Sequence, residues 1–168
     1  LVSDLKYEAP GKLKQLLTEC IAPGRRFNKV LDLGCGTGLS GSAFRSIADN
    51  LTGVDVSEKM LEKAEKKQLY DSLVTSEINR FLMQTPRRYD LFISLDLFVY
   101  MGDLTDCFSG ISRCAAPESY LGFSIETCDS QDYVLRESGR YAQSRNYINR
   151  LCRDHGFTIV SCKPIDLR

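Results

Sequence analysis

Histidine is almost missing from this chain, and the gap excludes a good deal. There is one, His155, among 168 residues. None of the seven cysteines (Cys20, Cys35, Cys107, Cys114, Cys128, Cys152 and Cys162) stands in a C-x-x-C pair. Zinc-ligand spacing is therefore absent, and no metal site is expected. The odd count and scattered positions fit reduced thiols in a cytoplasmic protein, most of them serving as small apolar fillers. An excess of one charge is lacking too, with 22 basic residues against 22 acidic ones. That leaves no electrostatic footprint for nucleic acid or a membrane surface. The Arg25-Arg26 and Arg87-Arg88 pairs read as solvated loop charges. No apolar run reaches membrane-spanning length, and no leader-like segment stands at the start. No repeat, low-complexity stretch or linker divides the chain, so residues 1–168 are expected to form a single domain. The first residue is Leu1, in mid-pattern and without a methionine, which predicts a piece of a longer protein.

What is present centres on Val30-Leu31-Asp32-Leu33-Gly34-Cys35-Gly36-Thr37-Gly38-Leu39. A short apolar strand runs into three alternate glycines, and a helix follows. Glycine allows a tight turn with φ > 0, and its missing Cβ lets a ligand lie against the backbone. The helix start behind it offers free N–H groups. The dinucleotide fingerprint G-x-G-x-x-G fails here, because Leu39 occupies the place of the third glycine. A second strand, Leu51–Asp55, ends in a carboxylate that can accept hydrogen bonds from both ribose hydroxyls of an adenosine.

Strands and helices alternate along the rest of the chain. Helices are expected at 9–20, 39–48, 58–69, 79–83, 104–115 and 144–155. Strands are expected at 30–33, 51–55, 73–76, 89–95, 120–125 and 157–162. This order predicts an α/β fold, a Rossmann-like open, twisted, mostly parallel sheet with helices on both faces. In helix 58–69, Met60, Leu61 and Ala64 face inward, and the charges between them are a solvated face. Glu77 ends the third strand, where its carboxylate could meet an adenine amino group. Asp96 and Tyr100 follow the fourth strand, at the edge where open α/β sheets bind ligands. Their structural readings, a helix cap and core packing, stand beside that one. Residues 128–143 are polar and irregular, as a lid or recognition loop would be. His155 lies in the last turn of its helix, where it complements the dipole.

These motifs resemble the class I S-adenosylmethionine (SAM) dependent methyltransferases, with Asp32–Gly38 matching motif I of that family, and the likeness covers nearly the whole chain. Val30–Leu39, Leu51–Met60, Tyr89–Leu104 and Ser138–Ser144 are further similar to a bacterial subgroup, some of whose members are attached to tetratricopeptide repeats. Two departures from that subgroup stand out: Gln143 replaces a histidine, and Pro117-Glu118-Ser119 replaces a Pro-Gly-Gly turn. The resemblance implies SAM as cofactor. Gly34, Cys35, Gly36 and Gly38 would then back its methionine portion, with Asp32 near the amino group. Asp55 would hold the ribose, Val56 would lie beside the adenine, Glu77 and Ile78 would meet its edge, and Leu95 would approach the sulfonium. Asp96, Tyr100 and Tyr141 are the candidates to orient or deprotonate the acceptor. A small-molecule acceptor is expected ahead of a protein, with nucleic acid and membrane excluded as partners. A SAM-binding module without turnover is the main alternative, and a nicotinamide oxidoreductase is the weaker one. The family fold closes with an antiparallel strand pair, which is expected to be missing or incomplete here.

Overall fold

The computed structural model describes residues 8–129 and 131–165. Five strands form one sheet: β1 (Phe27–Leu33), β2 (Ala48–Asp55), β3 (Ser72–Thr75), β4 (Tyr89–Ser94) and β5 (Ala115–Phe123). Their order is β3-β2-β1-β4-β5, and every neighbouring pair is parallel. The helices are α1 (Ala9–Cys20), α2 (Leu39–Phe44), α3 (Glu58–Glu65), α4 (Ile78–Gln84), α5 (Thr105–Cys114) and α6 (Arg145–Asp154).

Side chains alternate across a strand, so one strand feeds two cores. From β1, Leu31 and Leu33 join Val54, Phe92 and the apolar faces of α4, α5 and α6. Val30 points the other way and packs with Phe27, Leu51, Leu91 and Ile93 against Leu17 of α1 and Phe44 of α2. Burial on both faces explains the near-continuous apolar runs of the central strands. The chain builds β1, β2 and β3 outward to one side, then returns to lay β4 on the far side of β1. The point of reversal lies between β1 and β4, and ligands of open α/β sheets bind at the carboxyl ends beside it.

Several boundaries differ from the sequence expectation. β1 starts at Phe27 because the N–H groups of Asn28 and Lys29 both donate to the Asp90 carboxylate, at 2.8 Å each. β2 starts at Ala48, opposite Phe27. The expected helix 39–48 is therefore cut to α2, and a 3-10 turn at Arg45–Ile47 leads straight into β2. α3 ends at Glu65, short of Leu69, and Gln68 takes a left-handed φ of 53° just beyond it. Met60 is 42 % exposed and does not join its buried neighbours Leu61 and Ala64. Glu118, in the turn that the resemblance leads one to expect as Pro-Gly-Gly, adopts φ 58° in a bulge at the start of β5.

Two larger corrections concern the second half of the chain. The stretch expected as an irregular loop carries a small sheet of β6 (Thr127–Cys128), β7 (Tyr133–Leu135) and β8 (Tyr141–Ser144), in the order β6-β8-β7. The strand expected at Phe157–Cys162 is not formed. Its residues have strand-like composition, but that preference is realised only on a paired, half-buried surface. This segment is mostly exposed, tied down by Lys163 to Glu19 at 3.1 Å. Asp166–Arg168, where the closing strand is expected to be missing or incomplete, lie outside the described residues.

Ser57 and Ser144 cap α3 and α6, accepting the N–H of Met60 at 3.3 Å and of Tyr147 at 3.1 Å. Gly156 stops α6 with φ 80°. His155 is structural, with Nδ1 2.8 Å from the Leu151 carbonyl oxygen and its ring against Phe108.

Candidate active site

The glycine turn is left-handed throughout: Gly34, Gly36 and Gly38 have φ of 70°, 53° and 89°. A side chain at any of them would be strained. The turn is fastened to β2 from both ends. The N–H groups of Gly34 and Cys35 donate to the Val54 carbonyl at 2.8 and 3.1 Å. Gly36 N–H donates to Asp55 Oδ2 at 2.9 Å, and Ser57 N–H donates to Asp55 Oδ1 at 2.9 Å. Asp55 thus shapes the turn as well as closing β2. Val56, next to it, is 66 % exposed, an apolar side chain standing clear of the core beside that carboxylate.

Asp32 lies beneath the turn, 1 % exposed. Its Oδ2 accepts the Tyr70 hydroxyl at 2.7 Å, while its Oδ1 is buried and has no hydrogen-bond partner among the described residues. Burial pushes its carboxyl up to about 7, with the Tyr70 bond opposing and the Asp55 charge adding to the rise. Burial also pushes the Cys35 thiol well above its ordinary value, helped by Asp32 and Asp55. Cys35 is therefore a neutral filler, and its sulfur lies where a Cβ on Gly53 would come within 2.8 Å.

At the tip of β3, Glu77 caps α4, accepting the N–H groups of Asn79 and Arg80 at 2.9 Å each. A carboxylate has about four lone-pair sites, so capping leaves acceptor capacity toward an adenine amino group. The side chain of Ile78 is spent in the core, and so is that of Leu95.

Across the reversal point, Asp96, two residues beyond β4, has a left-handed φ of 53° and donates its N–H to Ser124 Oγ at 3.0 Å. A 3-10 turn, Phe98–Tyr100, follows. Tyr100 is 66 % exposed, which removes core packing as its role. Arg140 ties this side together. Its guanidinium pairs with Glu126, lies 3.8 Å from Asp96 Oδ1, and sits 5.9 Å from the Tyr100 ring centre. Asp96 and Tyr100 are thereby brought together around a cation to which the sequence reading gave no role. Tyr141 is placed differently. Its ring meets Tyr133 edge-on at 6.3 Å and fills the space left by Gly102.

Gln143 is fully buried. Its Nε2 donates to the carbonyls of Phe98 at 2.9 Å and Met101 at 2.8 Å, latching β8 onto the turn that carries Tyr100. Tyr70 is the other residue the sequence reading passed over. No glycine motif includes it, and only its spacing after α3 could have drawn notice.

The residues of the glycine turn and the strand order point to one family. Residues 30–118, a little over half of the chain, match the profile of a family described as methyltransferase domain. The chain belongs to that family. It is 30% identical over 128 residues to a malonyl-[acyl-carrier protein] O-methyltransferase of Enterobacter lignolyticus, covering 76% of this chain and 50% of that protein. It is 27% identical over 137 residues to a ubiquinone biosynthesis O-methyltransferase of Thiobacillus denitrificans, covering 77% and 56%. The chain thus spans about half the length of these curated relatives. Among solved structures, a magnesium protoporphyrin IX methyltransferase from Synechocystis with bound SAM aligns with a TM-score of 0.69 at 21% identity, covering 91% of this chain and 71% of that one. A SAM-dependent methyltransferase from Clostridium acetobutylicum aligns at 0.70 and 18% identity, covering 95% and 84%. These likenesses confirm the Rossmann-like methyltransferase fold. Among the described residues no helix is long and apolar enough to cross a membrane.

Proposed function

We propose that this domain binds SAM across the β1–β2 side of the reversal point and transfers its methyl group to a small organic acceptor held on the β4–β5 side. One observation carries the reading: a buried carboxylate, Asp32, keeps an oxygen without a partner among the described residues, directly beneath a three-glycine turn whose glycines are left-handed. A buried, half-satisfied carboxylate is costly, and the ammonium group of SAM is the cation that would meet it. Asp55 supplies acceptors for the ribose hydroxyls. Val56 offers an apolar face for the adenine, and Glu77 an acceptor at its edge. A nicotinamide dinucleotide would instead call for the third glycine, where Leu39 stands.

SAM supplies an electrophilic methyl on a sulfonium, so the protein needs neither a strong acid nor a metal. What remains is alignment of donor and acceptor. Asp96 holds or takes the acceptor's proton, with the Arg140 guanidinium 3.8 Å from its Oδ1. Tyr100 presents its hydroxyl toward solvent at the same edge, and Tyr141 lines the floor beside Gly102. The two curated relatives are named as O-methyltransferases, which supports an oxygen acceptor. The scattered unpaired cysteines support a reducing, cytoplasmic setting. A SAM-binding module without turnover drew its support from Gln143 in place of a histidine. That position is a buried latch, so the replacement takes no reachable base from the site.

Calorimetry tests the cofactor assignment. SAM and S-adenosylhomocysteine (SAH) are expected to bind in the micromolar range, about 8 kcal/mol, while NAD does not. Binding of NAD without either SAM ligand overturns it.

A further inference from the structure

Tyr70 lies between α3 and β3, outside every motif, yet it is the contact point for three glycines. A Cβ on Gly38, Gly41 or Gly53 would approach its side chain to 3.1, 2.6 or 2.9 Å. The ring therefore sits where only glycines leave room, against the start of α2 and the middle of β2. Its hydroxyl has one proton to give. Gly41 N–H donates to the hydroxyl oxygen at 3.1 Å, which orients the proton toward Asp32 Oδ2 at 2.7 Å. One oxygen of Asp32 is thus pinned, and the other is buried without a hydrogen-bond partner among the described residues.

We infer that Tyr70 is a positioning residue for the amino-acid end of the cofactor: its hydroxyl fixes the Asp32 carboxylate in one orientation, with Oδ1 held ready for an ammonium group. This rests on the SAM reading above and assigns a role that motif I by itself does not contain. Among the described residues, the titratable groups acting on Asp32 are Tyr70, Asp55 and Cys35. Asp55 repels its charge, Cys35 is neutral, and Tyr70 is the one group that favours the ionised form. Removing the Tyr70 hydroxyl raises the Asp32 carboxyl further. An ammonium group binds the ionised form, so its affinity falls as pH drops through the carboxyl's titration, which is near 7 in the parent.

The test is a pH series, from 6 to 8.5, of SAH binding to the parent and to Tyr70→Phe. 5′-Methylthioadenosine, which has the nucleoside but no ammonium, is the control. In the parent, SAH affinity is expected to fall roughly tenfold per pH unit below about 7. In Tyr70→Phe the fall begins at least one unit higher, so that SAH binds at least about threefold more weakly at pH 7.5 and about tenfold more weakly at pH 6. Methylthioadenosine affinity stays flat with pH and is alike in both proteins. Asp32→Asn, which needs no change at Tyr70, is expected to bind SAH weakly and without this pH dependence. The inference is overturned if Tyr70→Phe weakens both ligands equally with an unmoved pH profile, since Tyr70 is then only packing. Persistence of the pH dependence in Asp32→Asn overturns it as well. A parent that binds neither ligand at any pH overturns the SAM reading itself, a result distinct from an unmoved profile.

Discussion

The two sides of the crevice are built by different means. On the β1–β2 side, the polar groups are fixed by hydrogen bonds to backbone N–H groups and a half-buried phenol: Asp55 to Gly36 and Ser57, Asp32 to Tyr70. On the β4–β5 side, the contacts run between charged side chains, Arg140 with Glu126 and Asp96, and Arg136 with Glu126. Those groups are about a quarter to a half exposed. Bonds to a backbone that is itself hydrogen-bonded leave little freedom, whereas exposed ion pairs shift cheaply. On the proposed reading, one side is thus a preformed mould for a constant ligand. The other is an adjustable surface, suited to an acceptor that varies among relatives on a shared fold. If this division is right, cofactor binding and acceptor handling should come apart under mutation.

The largest effect is expected from Asp55→Ala. It removes the ribose acceptors and also the carboxylate that holds the Gly36 N–H. SAH should bind at least a hundredfold more weakly, about 3 kcal/mol, as read by calorimetry. Affinity within fivefold of the parent would break the idea that the mould is on the β1–β2 side.

Gln143→Ala probes the opposite side next. The buried amide donates twice, to Phe98 and Met101, so its loss takes a donor from both carbonyls, leaving that of Phe98 with the Met101 N–H at 3.1 Å, and opens a cavity. We expect about 2–3 kcal/mol of destabilisation, or roughly 5–10 °C in Tm for a domain of this size. SAH affinity should stay within twofold. Gln143→His, with one ring donor in place of two amide donors, should recover part of the loss. A fall in SAH affinity that tracks the fall in stability would show that the latch supports both sides.

This contrast also explains what was legible in the sequence. The mould was legible because its chemistry is local. Strand, three glycines, helix, strand and carboxylate are each written in adjacent residues, and the structure places Asp32, the glycines and Asp55 together as expected. Tyr70 was not legible, because its role comes from a ring inserted among three glycines distant in sequence. The small sheet was hidden for a related reason. Its strands are only two to four residues long, and pairs such as Thr127 with Gln143 are set by contacts around Glu126, Arg136 and Arg140 and not by hydrophobic alternation. The starts of β1 and β2 were obscured by Asn28-Lys29 and Asp49-Asn50, which look like turn residues. They join the sheet because Asp90 accepts from the first pair and parallel pairing recruits the second.

The mould should also carry a measurable cost. Asp32 has a folded pKa near 7 against about 3.9 in an unfolded chain, so the fold prefers the protonated acid. That preference stabilises the protein fully below about pH 4 and is lost as pH rises through about 7. Across that window the buried charge costs about 4 kcal/mol. Asp32→Asn removes the charge and keeps an acceptor for Tyr70, but buries an amide with unmet donors. A net gain of about 1–2 kcal/mol is therefore expected at pH 8, vanishing toward pH 4. Denaturant titrations at the two pH values would show it. A stability difference that is the same at both would mean that Asp32 is not a strained carboxylate, and the mould would lose its electrostatic basis.

Arg140→Ala should have the smallest effect on stability and the sharpest on the comparison. Its partners are exposed enough that each pair contributes under about 1 kcal/mol, and Arg136 remains 3.4 Å from Glu126 after the change. Tm should therefore move by no more than about 2–3 °C. SAH affinity should hold within twofold, since no residue of the glycine turn touches Arg140. Yet the guanidinium is the shared neighbour of Asp96 and Tyr100, and without it the carboxylate loses the cation that orients it and the phenol loses its stacking partner. Turnover of an acceptor drawn from an alcohol, phenol and carboxylate panel should fall at least tenfold, read as SAH formed per unit time. A protein that keeps its stability and its cofactor but loses turnover would separate the adjustable side from the mould. Loss of SAH binding with turnover retained at saturating SAM would reverse the assignment, and Arg140 would then belong to the cofactor's side of the crevice.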